Sequence, residues 1–383
     1  MEILFLDQFS VLGGAQLCLL DILDAVEKRR WHARVALPGD GPLVERVRAR
    51  GISMETIPSG PYRSGSKSVA DFLQFPLDVW RQKGIIADVM NRNKFDLVYV
   101  NGPRLLPAAA LAARGRAPVL FHAHSRLNQR SAVGSAGRSI RQAEATVVAC
   151  SNYVAHPLER YVGKASLHVI PNGTPDAGFQ VRAFGPGRSW RIGLIGRISP
   201  EKGQAEFLQA IGLLAPEFPA TRFVICGAPI IPADKYLDLV SGLARGLPVE
   251  FLGWRDDVPS VLAGLDLLVV PSKDEGLGRV VSEAFSAGVP VVAFASGGIP
   301  ELITDRETGF LAPEATAEAL AAQIREVISA DAETVQRVVA KARQAWERSY
   351  TVAAYQGRIM ELLQRVVSAW RATRETTAPP ARR

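Results

Sequence analysis

Short apolar segments alternate with helical patterns along most of the chain, and this alternation limits the fold more than any other feature. In the first half, the segments predicted as strands are EILFLD, ARVALP, LVYVN, PVLFHAH, ATVVACS and LHVIPN. Helical patterns such as AQLCLLDILDAVEKRR and PLVERVRARG lie between them. A βαβ alternation of this kind indicates a parallel sheet that is covered by helices on both faces.

The alternation is interrupted once and then starts again. NGTPDAGFQVRAFGPGRSW, residues 172–190, contains glycines and prolines and is typical of a linker. The strands predicted after it are RIGLIG, RFVICG, VEFLGW, LDLLVVPS and PVVAF. We therefore predict an α/β protein with two Rossmann-like, doubly wound domains that face each other across a cleft. Because such sheets bind ligands beyond the carboxyl ends of their strands, the site is expected in that cleft.

The predicted boundaries follow the same pattern. An N-terminal domain is expected over residues 1–175, a linker over 176–190 and a C-terminal domain over 191–348. A helix over 349–371 is expected to cross back to the N-terminal domain. The last residues, 372–383, are polar and contain prolines, so they are predicted to be a disordered tail.

Composition favours a cytoplasmic protein without a membrane-spanning helix. No window of eighteen or more apolar residues is free of charge. The N-terminus, MEILFLDQFS, has no basic region before its apolar run and is predicted as a strand, not a signal peptide. Cys18, Cys150 and Cys226 are widely spaced and match neither a disulfide framework nor a metal site, which favours a reducing compartment.

The net charge of +7 is concentrated in one part of the chain. No Asp or Glu occurs from Leu97 to Ala143, but this segment contains Arg104, Arg114, Arg116, Arg126, Arg130, Arg138 and Arg141. Such a segment suits an anionic membrane surface, a phosphorylated substrate or nucleic acid. The alternative is a solvated face without a partner.

Two glutamates flank a glycine turn in DEGLGRVVSEAF. Glu275 lies beyond the end of the predicted strand LDLLVVPS, and Gly276 and Gly278 allow the backbone to approach a ligand. A helix is predicted to begin at Arg279, and a helix N-terminus can bind an anion. Glu283 lies four residues after Arg279 and can share a helix face with it. One of the two glutamates can thus reach a sugar-like group that is held at the start of the helix. The other can reach a hydroxyl further along the same ligand.

A pair of cations follows another strand, in GLIGRISPEKG. Arg197 and Lys202 can clamp a diphosphate there, the guanidinium as a planar fork and the ammonium as a point charge. The alternative is a solvated loop. No Asp-x-Asp occurs in the chain, so the sequence gives no support to a diphosphate held by a metal ion.

Together these motifs resemble the retaining glycosyltransferases of family four, the glycosyl transferases group 1, which have the GT-B fold. The family signature is matched by Glu275, Glu283, Ala284, Gly288, Pro290, Gly297, Gly298 and Glu301. Leu277 stands where a Phe is usual. The resemblance extends to GGAQLCLLDI, VVACSNYV, VIPNG, GRISPEKG and FLGWRDDVPSVLAGLDLLVVPS, and so covers nearly the whole chain.

The resemblance implies a hexosyltransferase of the EC 2.4 class, with a UDP- or GDP-sugar as donor and no metal ion or other cofactor. The implied acceptor is a glycan, a glycolipid or a lipid-linked molecule, and no nucleic acid is expected as a partner. Catalytic roles are implied for Glu275, His124, Arg197 and Lys202, with His122 as the alternative to His124. Donor binding is implied for Gly13, Gly14, Arg197, Lys202, Trp254, Arg255, Glu275, Gly276, Leu277, Gly278 and Glu283.

Two other kinds of protein stay open at this point. A nucleotide-sugar epimerase or a phosphorylase can share the fold, but both lack the combination of GRISPEKG with the two glutamates. A non-catalytic assembly protein that binds phosphate polymers through its arginines would show steep salt dependence and hydrolyse no donor. If the arginines bind lipid instead, we expect a peripheral location on the inner face of the cytoplasmic membrane.

Overall fold

The computed structural model describes residues 1–58, 69–229 and 235–377 of the 383-residue chain. The chain divides into two compact units. The first consists of Met1–Pro171 and the C-terminal segment that begins at Tyr355, and the second is Asn172–Ala354. Each unit is built around one parallel sheet.

Seven parallel strands form the sheet of the first unit. They are β1 (Glu2–Asp7), β2 (His32–Leu37), β3 (Ser53–Thr56), β4 (Leu97–Asn101), β5 (Val119–Ala123), β6 (Thr146–Ala149) and β7 (Leu167–Val169). Their order is β3-β2-β1-β4-β5-β6-β7. The helices between them are α1 (Gly14–Lys28), α2 (Pro42–Arg48), α3 (Val69–Arg92), α4 (Leu106–Ala113), α5 (Arg130–Ala143) and α6 (Asn152–Ala155), followed by 3-10 turns at His156–Tyr161 and Lys164–Ser166. Every residue of β4 and β5 is buried, as expected for strands covered on both faces.

Six parallel strands form the sheet of the second unit. They are β8 (Arg191–Ile195), β9 (Arg222–Cys226), β10 (Val249–Gly253), β11 (Leu267–Val270), β12 (Val291–Phe294) and β13 (Phe310–Ala312). Their order is β10-β9-β8-β11-β12-β13. The helices are α7 (Gln204–Leu214), α8 (Lys235–Leu243), α9 (Val258–Ala263), α10 (Arg279–Ala287), α11 (Ala317–Ser329) and α12 (Ala332–Ser349), with 3-10 turns at Pro200–Lys202 and Ile299–Glu301.

The prediction of two Rossmann-like parallel sheets is confirmed. All strands predicted from the sequence are present, and β3 and β13 are the two that were not predicted. β3 has the sequence SMET, which lacks a run of β-branched residues, and it lies at the sheet edge. β13 is only three residues long and also lies at an edge. Edge strands bury less surface, so their apolar pattern is weaker.

The last helix, α13 (Val352–Thr377), returns to the first unit. Tyr355, Ile359 and Leu363 are fully buried in the core that also contains residues of β1 and α1. The helix continues to Thr377 and so includes the first part of the segment predicted as a tail. There the hydroxyls of Thr373 and Thr376 donate hydrogen bonds to carbonyls four residues earlier. Residues 378–383 lie outside the described part of the chain.

The segment predicted as a linker, residues 176–190, lies within the second unit and contacts the end of α10. The guanidinium of Arg182 donates hydrogen bonds to the carbonyls of Ala287 and Gly288, at 2.7 and 3.1 Å. It also reaches the carbonyls of Leu262 and Leu265, at 3.1 and 2.9 Å. A cation at a helix C-terminus is favourable because the last carbonyls carry partial negative charge. Arg182 therefore fixes the end of α10 that lies opposite the glycine turn.

Candidate functional site

Both sheets have a point where the chain stops adding strands on one side and continues on the other. This point lies between β1 and β4 in the first unit and between β8 and β11 in the second. Loops that leave such a pair of strands diverge and open a crevice at the carboxyl edge, where doubly wound sheets bind ligands. Polar side chains gather at this point in each unit.

In the second unit, the loops after β8 and β11 are joined by an ion pair. Lys202 lies in the 3-10 turn after β8, and its Nζ is 2.5 Å from Oε2 of Glu275, in the loop after β11. The two side chains are only 25% and 16% exposed. The backbone N–H of Lys273 also donates to the carbonyl of Glu201 at 2.8 Å. The structure thus brings together two of the residues with implied catalytic roles.

Arg197 lies in the loop after β8, beside an acid that was not identified from the sequence. Its guanidinium contacts the carboxylate of Glu201 and lies 3.5 Å from Oγ of Ser199. Its carbonyl accepts a hydrogen bond from Nε2 of Gln204 at 2.8 Å. Burial raises the pKa of Glu201, but hydrogen bonds from its own backbone and from Arg197 outweigh this effect and lower the pKa. The only sequence signal was the position of Glu201 within SPEKG, between the two cations.

The glycine turn leads directly into α10. Leu277 is buried, and Gly278 at the helix N-cap has a φ of +95°, a left-handed conformation that favours glycine. Gly278 has no side chain to cap the first N–H groups of the helix. Within α10, Nε of Arg279 is 3.2 Å from Oε1 of Glu283, with both side chains about 15% exposed or less. The predicted shared helix face is therefore confirmed.

A second glycine, Gly297, holds the backbone of Glu275 in place. It has a φ of +61°, and a Cβ at this position would lie 2.3 Å from the carbonyl oxygen of Glu275 and 2.7 Å from its nitrogen. The next residue, Gly298, donates its N–H to the carbonyl of Glu275 at 2.8 Å. The first glycine of the Gly-Gly pair is thus required because the backbone of Glu275 passes against it.

Trp254 and Arg255 follow the edge strand β10, and not β8 or β11, after which Lys202 and Glu275 lie. The strand lies two positions from β8, which is about 10 Å along the sheet. The indole N–H of Trp254 donates to Asp256 at 3.1 Å, and the side chain is 55% exposed. Arg255 forms two hydrogen bonds with Asp257, and this pairing lowers the pKa of Asp257 to about 2. These two residues therefore do not join the cluster of Lys202 and Glu275.

In the first unit, the two glycines predicted to approach phosphates lie at the start of α1. Gly13 is the N-cap, and Gly14 is the first residue of the helix. The amide of Gln16, one turn on, folds back toward Gly13, so a Cβ on Gly13 would lie 3.1 Å from its Oε1. The glycine thus leaves room for the buried side chain of Gln16.

The two histidines of FHAH occupy different environments. His122 lies inside β5 with no exposed surface, in contact with the hydroxyl of Tyr99. Burial, assisted by the nearby His124, holds the pKa of His122 well below its usual value. His124 lies just beyond the strand, and its Nε2 is 2.7 Å from Oδ1 of Asn101. Of the two, His124 is the one beyond the strand end.

A buried carboxylate lies behind His124, and it was not identified from the sequence. Asp7 ends β1 with no exposed surface. It accepts hydrogen bonds from Nδ2 of Asn101 at 2.6 Å, from Nε2 of Gln16 at 3.1 Å and from the N–H of Phe9 at 2.9 Å. Burial raises the pKa of Asp7 to about 6, against the opposing effect of these hydrogen bonds. A polar residue at the end of each apolar strand, EILFLD and LVYVN, was the signal available in the sequence.

The described part of the chain adds little other reactive chemistry. Within it, no group of three or more His, Cys, Asp or Glu residues is arranged to hold a metal ion. Cys18, Cys150 and Cys226 are all buried and form no disulfide. No helix in the same residues is long and apolar enough to cross a membrane.

Comparisons with known proteins agree with this architecture. The structure of HepE from Anabaena, solved with UDP and glucose, is 26% identical and has a TM-score of 0.78, covering 95% of this chain and 99% of that chain. An exopolysaccharide phosphotransferase of Streptomyces coelicolor is 30% identical over 242 residues, which are 62% of this chain and 25% of that protein. D-inositol 3-phosphate glycosyltransferase of Corynebacterium glutamicum is 33% identical over 141 residues, 34% of each protein. The chain thus spans a quarter to a third of the length of these two curated relatives.

Two parallel Rossmann-like sheets, with HepE as a structural neighbour, define the GT-B class of fold. Family models match both units: Glycosyltransferase Family 4 over residues 12–177 and Glycosyl transferases group 1 over residues 189–330. The chain therefore belongs to the group 1 glycosyltransferases of family 4.

The close approach of Gly297 to Glu275 predicts an unusual sensitivity to a single methyl group. We expect Gly297→Ala to lower the free energy of unfolding by about 3–5 kcal/mol, from left-handed strain plus overlap with the backbone. Gly246→Ala is the matched control, because Gly246 has a φ of +79° and nothing lies within 4 Å of its added Cβ. It is expected to cost about 1–2 kcal/mol. Equal losses for the two variants in denaturant unfolding would contradict this account of Gly297.

Proposed function

We propose that this protein is a retaining glycosyltransferase that moves a hexosyl group from a nucleotide-diphosphate sugar, without a metal ion. The observation that carries the proposal is the ion pair of Lys202 with Glu275 where the chain changes direction between β8 and β11, with Arg197 in the same loop as Lys202 and the start of α10 directly after the glycine turn. A nucleotide sugar presents a diphosphate that needs cations and N–H donors, and hydroxyls that suit a carboxylate. HepE has been solved with UDP-glucose, and this supports UDP over GDP in the donor.

Arg197 and Lys202 are proposed to bind the diphosphate and to stabilise the charge that develops on it as it leaves. In the structure, each cation already contacts an acid, Glu201 and Glu275 respectively. A guanidinium has five N–H donors, so Arg197 can bind a phosphate oxygen while it keeps Glu201. Fixed cations beside a developing anion supply stabilisation of the kind that a metal ion supplies elsewhere.

The two glutamates are proposed to bind different parts of the donor. Glu275, at the glycine turn, hydrogen-bonds a hydroxyl of the sugar, and Glu283, one helical turn into α10, holds the ribose. They are not proposed as an acid–base pair, because such pairs act on both sides of one glycosidic bond. Retention of the anomeric configuration is proposed from family membership.

The remaining predicted residues take supporting roles in the proposal. Gly13 and Gly14 are proposed to approach the phosphates, and His124 to contact the donor sugar. Trp254 and Arg255 are proposed to border the base from the edge strand. Gly276 and Gly278 contribute backbone N–H groups beside Glu275, and buried Leu277 packs beneath them.

The acceptor is proposed to be a glycan, a glycolipid or a lipid-linked molecule, reached at an anionic membrane surface. Arg130, Arg138 and Arg141 are exposed and lie on one face of α5. Arg126 is only partly exposed, and its guanidinium lies 4.6 Å from the ring centroid of Tyr153 and donates to the carbonyl of Tyr153 at 3.0 Å. Arg141 makes similar contacts, with its guanidinium 5.0 Å from the ring centroid of Tyr161 and a hydrogen bond to the carbonyl of Arg160 at 2.9 Å, but it is exposed. The proposed lipid contact therefore involves the three arginines of α5.

Release of nucleoside diphosphate from a panel of UDP- and GDP-sugars, without an acceptor, tests the proposed function. We expect slow hydrolysis of at least one donor, favouring a UDP-sugar. Glu275→Gln should reduce this rate by about 10–100-fold, because a hydrogen bond to a charged group contributes about 1.5–3 kcal/mol. Its affinity for free UDP should change little.

Glu283→Gln is the comparison for this experiment, because it should weaken UDP binding while Glu275→Gln does not. An epimerase would change the sugar without releasing UDP, and a phosphate-polymer-binding protein would leave every donor intact. Donor hydrolysis at the wild-type rate in Glu275→Gln would refute the role of this residue.

Removal of either cation should weaken the binding of UDP. We expect Arg197→Ala and Lys202→Ala each to raise the Kd for UDP by about 10–100-fold, from loss of a charge-assisted contact. Lys273→Ala is the matched control, since Lys273 pairs with Glu206 at 2.6 Å and is not part of the cluster. Activity is expected to survive EDTA, and a loss that Mg²⁺ or Mn²⁺ restores would overturn the metal-independent proposal.

The membrane contact is tested by co-sedimentation with vesicles that contain phosphatidylserine. Each basic residue near an anionic surface contributes about 1 kcal/mol, so the triple variant Arg130→Gln, Arg138→Gln, Arg141→Gln should bind about 100-fold more weakly at low salt. The triple variant Arg222→Gln, Arg337→Gln, Arg348→Gln removes the same charge from exposed positions of the second unit and should bind as wild type does. Wild-type protein that stays in the supernatant would favour a soluble acceptor.

A further inference from the structure

A chain of hydrogen bonds connects the end of β1 to His124. Nδ2 of Asn101 is 2.6 Å from Oδ2 of Asp7, and Oδ1 of Asn101 is 2.7 Å from Nε2 of His124. Asp7 is fully buried and Asn101 nearly so. The amide of Asn101 therefore links a carboxylate to an imidazole in a place from which water is excluded.

We propose that Asp7 is a positioning residue that fixes the tautomer of His124 through the amide of Asn101. An ionised carboxylate can only accept hydrogen bonds, so Asn101 must turn its NH₂ group toward Asp7. The carbonyl oxygen of Asn101 then faces Nε2 of His124, and Nε2 must carry a proton in order to donate a hydrogen bond to it. Neutral His124 is therefore held as the tautomer with hydrogen on Nε2.

The arrangement also fixes the orientation of the ring. A half-turn of the imidazole would exchange Nε2 for a carbon atom and break the contact with Asn101. The ring of His122 lies against that of His124, with centroids 3.9 Å apart. Burial raises the pKa of Asp7 to about 6, which is still below neutral pH, so the carboxylate is ionised there. This sets the direction of the hydrogen bonds from Asp7 to His124.

An amide in place of the carboxylate should reverse this direction. In Asp7→Asn, the side-chain oxygen must keep the side of the N–H of Phe9, which donates to Asp7 at 2.9 Å and cannot turn over. The new NH₂ group then faces Asn101, which has to rotate its amide, give up its long contact of 3.4 Å with the carbonyl of Ala15, and offer its oxygen. Asn101 would consequently donate to Nε2 of His124, and the proton of the neutral ring would move to Nδ1.

Long-range proton–nitrogen NMR spectra of protein labelled with ¹⁵N-histidine distinguish the two tautomers directly. The chain has five histidines, so His124→Gln assigns the signals. We expect hydrogen on Nε2 of His124 in the wild type and on Nδ1 in Asp7→Asn. Gln16→Leu is the matched control, because it removes another donor to Asp7 at 3.1 Å but leaves the contact with Asn101. It should keep the wild-type tautomer.

The wild-type spectrum alone can overturn the proposal, even where Asp7→Asn fails to fold, because hydrogen on Nδ1 of His124 is incompatible with it. A folded Asp7→Asn protein that retains hydrogen on Nε2 would overturn it as well.

The catalytic consequence rests on the proposed function. We expect Asp7→Asn to lower kcat at least tenfold and to change the Kd for UDP less than twofold, with Gln16→Leu closer to wild type. A loss of kcat without a change of tautomer would mean that Asp7 acts in another way. A wild-type protein that turns over no donor would refute the proposed function while the NMR result still decides the tautomer.

Discussion

The contact between the loops after β8 and β11 is the constraint on which the second unit's site depends. These loops leave neighbouring strands in divergent directions, and the ion pair of Lys202 with Glu275 brings them together. Gly297 and Gly298 then hold the backbone of Glu275 from a third loop, after β12. Without a glycine at position 297 this backbone has no room, so the carboxylate is positioned by chain packing before any ligand binds.

The acids and the cations at this site are paired with each other. Lys202 contacts Glu275, Arg197 contacts Glu201, and Arg279 contacts Glu283. Such pairing reduces the cost of holding cations in a partly buried site, because unpaired charges there lose hydration without compensation. A donor diphosphate is proposed to share these cations with Glu201 and Glu275, because a guanidinium has five N–H donors and an ammonium has three. The internal acids would then hold the cations in position while the ligand binds.

The sequence predicted the parallel sheets of both units, because they follow from the pattern of apolar strands. It also predicted where most of the proposed site residues lie, because these residues follow strands or belong to glycine turns. Arg197, Glu275 and His124 all follow apolar strands, and the carboxyl edge of a parallel sheet collects such residues. The partners of these residues were not predicted. Asp7 and Asn101 carry no motif of their own, and their contact joins strands that are 94 residues apart in the chain. Glu201 lies only four residues from Arg197, but nothing in SPEKG marks it as the partner of that cation. Weak edge strands such as β3 were missed for a related reason, since they carry little apolar pattern.

Asp7 shows why such partners matter. A pKa of about 6 in the folded chain, against 3.8 as the ordinary value, means that ionised Asp7 costs the fold about 3 kcal/mol at neutral pH. As the pH falls from about 6 toward 4, Asp7 takes up a proton in the folded state before it does so in the unfolded state. The free-energy cost of holding Asp7 ionised in the folded state therefore disappears over this pH range. A buried carboxylate that destabilises the fold in this way invites a functional explanation. Its hydrogen bonds lead through Asn101 to His124 beyond β5, so the position of Asp7 is best explained by its control of the imidazole.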